Sequence, residues 1–365
     1  MRKILLGIFG GLLAVCANAA QVANLDYVHK LIAQKWDISV PIKADNPMQV
    51  ANMKYLLTAI DVANEILNGE KITDYGNGEF ATLQVADTTA TNAAVETLIK
   101  KEQKHEFTLT TTSSTSSFSF SISAAGEFVV DWGDGTIETI TKPDTTNTTY
   151  SHNYTTAGAY TIGFSGQATA YNTEVYTAAI SFVDAVDWEF YSTWNIASID
   201  GSLGAIFGTL SSDTNNQPRF YGTFNAASNM NAIPANLFAG ISGAPAEWMF
   251  AKTFYDCSRL TSIPENLFAG ISGAPASYMF EGTFEGCGGL TSIPENLFGN
   301  ISGTAQDGMF RSTFYFCVSL TGPSARINGQ YLYEIWPDAT EDQVGGMYGI
   351  ATKLSDYSSI PSAWK

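Results

Sequence analysis

The sequence predicts a multidomain α+β chain: an N-terminal helical module, a small β-sandwich, and an α/β solenoid of about thirty-residue repeats. Three observations carry this. An apolar stripe at three-to-four spacing runs through residues 53–67, strict alternation of Phe or Ile with Ser runs through 118–123, and a motif recurs every thirty residues between about 230 and 320. With 365 residues and a formal charge of −17, the chain has room for several units and lacks the clustered Lys and Arg of a nucleic-acid binder.

Residues 1–20 read as a secretory signal. Arg2 and Lys3 precede a short apolar core over 4–15, and Ala17-Asn18-Ala19 supplies a small–x–small cleavage site. Leu13-Ala14-Val15-Cys16 is the weaker alternative, a lipoprotein processing site, because Val15 stands where a small residue is wanted. The apolar core is short for a bilayer and no other run is longer, so no membrane span is expected in the mature chain.

Residues 21–105 are expected as a helical module. Asn46-Pro47 starts a helix whose stripe is Met53, Leu56, Leu57, Ile60, Ala63 and Leu67, and Asn68-Gly69 stops it. Leu25, Val28 and Ile32 mark a shorter helix, and residues 90–101 a third.

Residues 106–170 are expected as the sandwich. Phe118, Phe120 and Ile122 alternate with Ser119, Ser121 and Ser123, as on a half-buried strand. Residues 128–130 lead into a tight turn, Asp131-Trp132-Gly133-Asp134-Gly135-Thr136. Its glycines permit positive φ, and its aspartates can accept backbone hydrogen bonds. Two carboxylates are too few for a calcium site, so no metal is assigned there. Taken with His152-Asn153-Tyr154 and Gly158-Ala159-Tyr160-Thr161-Ile162, this turn resembles the PKD domain, an immunoglobulin-like module of cell-surface proteins. Trp132 stands where that family more often has Phe.

Residues 185–330 form the repeat block. Thr-Phe recurs at Thr223/Phe224, Thr253/Phe254, Thr283/Phe284 and Thr313/Phe314, and Ile-Pro at Ile233/Pro234, Ile263/Pro264 and Ile293/Pro294. The core positions are Phe254, Cys257, Leu260 and Ile263, then Phe284, Cys287, Leu290 and Ile293, then Phe314, Cys317 and Leu320. Leu-Thr-Ser-Ile suits a short strand ended by Pro, while Met-Phe-x-x-Thr-Phe-x-x-Cys suits one face of a short helix. Residues 199–220 look like a degenerate first copy. Residues 331–365 recover the skeleton as a degenerate repeat and C-terminal cap, through Met347-Tyr348, Ala351, Leu354 and Ile360-Pro361. The Phe-x-x-Cys-x-x-Leu-x-x-Ile spacing resembles the BspA-like leucine-rich-repeat surface proteins, which implies a leucine-rich-repeat-like solenoid. Each copy here is longer than is usual for that family.

The chemistry of the chain points to binding. One cysteine per copy at constant phase reads as a buried thiol ladder, with a disulfide between neighbouring copies as the alternative. His29, His105 and His152 are too scattered for a zinc site, no nucleophile motif or phosphate loop appears, and no carboxylate pair stands out. No catalytic residue, cofactor or metal is therefore assigned. Trp248 and Tyr278 share one repeat phase, and Tyr255 and Tyr315 another, which makes these four the candidate ligand contacts, with coverage of the stack's flank as the alternative. The expected function is a secreted or cell-surface bacterial adhesion protein, exported to the surface, the medium or the periplasm. Its partner would be an extracellular protein or glycan, without catalysis. A carbohydrate-binding accessory or polysaccharide-degrading protein is the alternative.

Overall fold

The computed structural model describes residues 105–182, 195–210 and 216–365. The expected signal segment, residues 1–20, and all of the expected helical module, residues 21–105, except His105 lie outside the described residues. Residues 105–365 form one compact unit with a continuous apolar core.

Eight strands build its first part: β1 (Phe107–Thr111), β2 (Thr115–Ile122), β3 (Ala124–Asp131), β4 (Ile137–Lys142), β5 (Thr148–Gly158), β6 (Thr161–Tyr171), β7 (Ile180–Ser181) and β8 (Ile196–Gly201). They pair antiparallel in a five-stranded sheet, β4-β3-β6-β1-β8, and a three-stranded sheet, β5-β2-β7. Alternation decides the faces: Phe118, Phe120 and Ile122 of β2 are buried, and Phe120 meets Trp132 and Phe164 from the other sheet at ring distances of 5.5 and 5.1 Å. At buried Ser123 the chain passes from one sheet to the other. Its N–H bonds Ala179 O at 3.1 Å, its hydroxyl bonds Ala178 O, and its carbonyl accepts from Asn172 N. The strands β7 and β8 lie beyond residue 170 and add one edge to each sheet.

The expected α/β solenoid does not form. The described residues are mainly β-strands in small, mostly antiparallel sheets, with three helices of four residues each: α1 (Leu203–Ile206), α2 (Leu332–Ile335) and α3 (Glu341–Val344). The Met-Phe-x-x-Thr-Phe-x-x-Cys segment is a ribbon of overlapping turns, not a helix. Met249, Ala251, Thr253, Tyr255 and Cys257 donate to the carbonyl three residues back, while Phe250, Lys252, Phe254 and Asp256 donate to the carbonyl 29 residues ahead, in the next coil. An α-helix would spend every N–H within itself and leave none for the neighbour. Every fourth residue takes positive φ, at Trp248 (61°), Lys252 (54°) and Asp256 (58°), and glycines occupy that phase at Gly282 and Gly286. Core positions therefore recur every four residues, a period that 3.6 imitates over a segment this short.

Leu-Thr-Ser-Ile does not form the expected strand either. Each coil makes one backbone bond there, Thr291 N to Thr261 O at 3.3 Å and Thr321 N to Thr291 O at 2.9 Å, because Pro264 and Pro294 bring no donor and Leu260 and Leu290 donate inside their own turns. Parallel pairing between coils occurs in the longer loop, where β9 (Ser272–Gly273) meets β10 (Asn300–Ile301) and Gly243 bridges Ile271.

Aromatic columns fill the stack. Phe182, Phe224, Phe254, Phe284 and Phe314 lie ring on ring at 5.4, 5.6, 5.5 and 5.6 Å. Phe220, Phe250, Phe280 and Phe310 form a second column at 5.9, 5.6 and 5.8 Å. Phe238, Phe268 and Phe298 form a third, and their rings tilt into the second column at 4.5–5.0 Å. The sheets close one end: Phe107 of β1 stacks on Phe182, Ala179 and Phe182 donate to Arg219 and Thr223 of the first full coil, and Gly204 of α1 donates to Leu237. A Cβ on Gly204 would lie 2.2 Å from Ala239 O, so that approach requires glycine. At the other end a hairpin, β11 (Arg326–Ile327) with β12 (Gln330–Tyr331), leads through α2 and α3 into a last ribbon over residues 345–354. There Tyr348 continues the first column at 6.3 Å, and Trp336 and Trp364 cover Phe310.

Phe284 lies between Phe254 and Phe314 and is wholly buried. Phe284→Ala is expected to cost about 3–5 kcal/mol, seen as a lowered thermal midpoint of the full chain. An unchanged midpoint would show that this column does not carry the core.

Candidate functional site

The four candidate contact residues fall in two groups. Trp248 and Tyr278 occupy the same positive-φ position in successive ribbons, and their rings stack at 4.3 Å and 11°. Tyr176 and Tyr221 extend the row, at 4.6 and 6.0 Å from Trp248. Glycine ends it: a Cβ on Gly308 would sit 2.1 Å from the Tyr278 ring, and the Arg311 guanidinium lies 5.4 Å from the centre of that ring. The rings therefore spend their faces on one another. Trp248 is only 8% exposed, whereas Tyr176, which the sequence reading did not single out, is 56% exposed.

Tyr255 and Tyr315 sit half-buried at a second phase. Tyr315 lies against Gly349, where a Cβ would come within 2.0 Å of its ring, and meets Phe316 edge-on at 4.5 Å. Between these tyrosines lies a charged cluster of Lys252, Asp256, Glu281, Glu285 and Arg311. Glu281 pairs with Arg311 at 3.8 Å. Burial pushes Glu285 up to about 7; Lys252 draws it back, while Glu281 and Asp256 add to the rise. Burial raises Asp256 and Glu281 as well.

Behind this surface run two ladders of small polar groups. The Thr253, Thr283 and Thr313 hydroxyls each bridge two Phe carbonyls, one in their own coil and one in the coil before, at 2.8–3.0 Å. The Cys257, Cys287 and Cys317 thiols donate to Phe224, Phe254 and Phe284 O at 3.1–3.2 Å. All three are free and buried, and burial raises each thiol, Cys317 to about 12. Neutral, enclosed thiols are neither nucleophiles nor metal ligands.

The sandwich turn is closed by its own side chains. Asp131 accepts from Gly133 N and Asp134 from Thr136 N, both at 2.9 Å, and Gly133 and Gly135 take φ of 81° and 95°. His152 holds Asp134 at 2.8 Å, its ring stacks on buried Trp132 at 5.1 Å, and Tyr154 donates to Trp132 O at 2.9 Å. Burial acts to raise Asp134, but the bonds from His152 and Thr136 outweigh it and leave this carboxyl below its ordinary value. His105 lies 3.6 Å from Asp131.

Two surface features escaped the sequence reading. Phe316 and Ile350 occupy the corner position that Ala226, Asp256 and Gly286 hold in earlier coils, and Val318 follows where Ser258 and Gly288 stand. Phe316, Val318 and Ile350 are 50%, 44% and 44% exposed. Large apolar side chains at a phase that is small or polar in other copies were the available signal. The second feature is a groove lined by Asn266, Ala269, Asn296, Gly299, Asn300 and Asn328. Its signal was Asn at constant phase in Asn236, Asn266 and Asn296. No protein family, curated protein or solved structure matches this chain.

Two outcomes follow from the cluster and the thiols. Glu285 binds its proton more tightly in the fold than at the ordinary value of 4.5, so its contribution to stability is complete below that value and is lost as pH rises through about 7. Chemical denaturation between pH 4.5 and 8 is expected to show declining stability, and Glu285→Gln to flatten the decline; an equal slope in the variant would refute the assignment. Replacing Cys257, Cys287 and Cys317 together by Ala is expected to lower the thermal midpoint modestly and keep the fold. Mass spectrometry after alkylation of the unreduced, denatured chain should find all three thiols free, and a stoichiometric bridge would contradict the ladder.

Proposed function

We propose that this chain is a non-enzymatic binding protein of the cell surface or secreted compartment, with its stacked coils as the contact surface for an extracellular protein or glycan. The observation that carries this reading is the register of the coils. Hydrogen bonds from one residue to the residue 29 positions ahead set equivalent positions of successive coils side by side, so a few outward side chains become a continuous row. Phe316 and Ile350 stand at one matching position, exposed beside Val318, and Tyr176 is the exposed end of the Trp248–Tyr278 stack. Apolar side chains left in water at matching positions are what an association surface offers. The signal-like pattern of residues 1–20 and the sequence resemblance of the Asp/Gly turn and the repeats to PKD-containing and BspA-like surface proteins favour the same reading.

Arrays of extracellular-matrix proteins and glycans, combined with product analysis, test it. Saturable binding without turnover is expected. Release of cleaved sugar from a bound polysaccharide, or no saturable binding on either array, would overturn it.

A further inference from the structure

The asparagine groove is lined by none of the exposed aromatic or aliphatic residues described above and has a volume of about 200 Å³. Asn266, Asn296 and Asn328 come from successive coils and share a left-handed backbone, with φ of 63°, 59° and 51°. Asn tolerates that conformation, which accounts for the turn but not for Asn300, an extended residue of β10 that adds a fourth amide. The Asn266 and Asn300 side chains are exposed, and no hydrogen bond from either to a described residue occurs. Asn296 Oδ1 accepts from Asn328 N at 2.7 Å, which orients that amide and leaves its NH2 unspent.

Charge narrows the ligand. The formal charge of the chain is −17, yet every residue lining the groove is neutral. Glu295 beside it is paired with Arg326 at 3.2 Å. An anion would find no cation there and a metal ion no carboxylate, whereas amides donate and accept together, as vicinal hydroxyls require. The row of amides follows the stack axis, and the coils are joined there by parallel pairing of β9 and β10, which sets strands about 4.8 Å apart. That step is close to the length of one sugar unit in an extended chain.

We propose that the groove of Asn266, Asn296, Asn300 and Asn328 binds an unbranched, uncharged polysaccharide laid along the stack. This rests on reading the chain as a binding protein and names one of its ligands. Asn266→Gly separates recognition from folding, because glycine accepts the left-handed backbone and deletes only the amide; at Asn300, extended in β10, alanine deletes the amide without loosening the backbone. The full chain would be run by affinity electrophoresis in gels containing a soluble neutral glucan, mannan or xylan, with polygalacturonate as the charged comparison. Retardation by at least one neutral polymer is expected, weakened tenfold or more in Asn266→Gly/Asn300→Ala at an unchanged thermal midpoint. Asn236→Gly, outside the groove, should behave as the unaltered chain. Retardation undiminished in the double variant would overturn the groove and leave the binding reading standing. No retardation by any neutral polymer, or retardation by polygalacturonate alone, would also overturn it; the arrays then decide the broader reading independently.

Discussion

The division of labour among the ribbon amides governs the rest of the structure. One amide in two closes a turn in its own coil, and the next reaches into the neighbouring coil. The turns hold the backbone in a four-residue period, and the cross-bonds hold the coils in register. Neither a helix nor a flat strand does both, since a helix spends its donors internally and a strand does not curl within four residues. The requirement falls on the positive-φ positions. Glycine meets it without cost at Gly282 and Gly286, whereas Trp248, Lys252 and Asp256 accept an unfavourable conformation that the surrounding bonds impose.

Register explains why so few residue types fill the core. Once equivalent positions face one another, a Phe in one coil meets a Phe in the next, and their rings lie nearly parallel, at 4–9° through most of the two longer columns. Each such contact adds about 0.5–1.5 kcal/mol beyond its buried area. Thr and Cys sit where a carbonyl from the coil before needs a small donor, so the same geometry that stacks the rings satisfies buried backbone oxygens. The ends need different chemistry. Phe107 and Phe182 supply the first rings from the strand-built part, and Tyr348, Trp336 and Trp364 supply the last.

The surface groups follow from that core. Positions pointing outward are free of packing demands, so the same phase carries Asp256, Gly286 and then Phe316. The aromatic row at Trp248 and Tyr278 is largely self-satisfied, which leaves Tyr176 and the asparagines as groups open to solvent.

Much was legible in the residues alone. The thirty-residue period, the apolar identity of Phe284, Cys287, Leu290 and Ile293, the alternation of β2 and the Asp/Gly turn at 131–135 were all readable, because period and turn chemistry are local properties of a sequence. Helix against turn ribbon was not readable from Met249 to Cys257. Periods of 3.6 and 4 diverge too little over nine residues, and the choice depends on an acceptor 29 residues away. Nor could the sequence show that Leu-Thr-Ser-Ile would leave most of its pairing to β9 and β10, or that Trp248 would be covered by its neighbours while Asn266 and Asn300 stayed open. Which ring covers which, and which amide is left to solvent, is decided only when the coils meet.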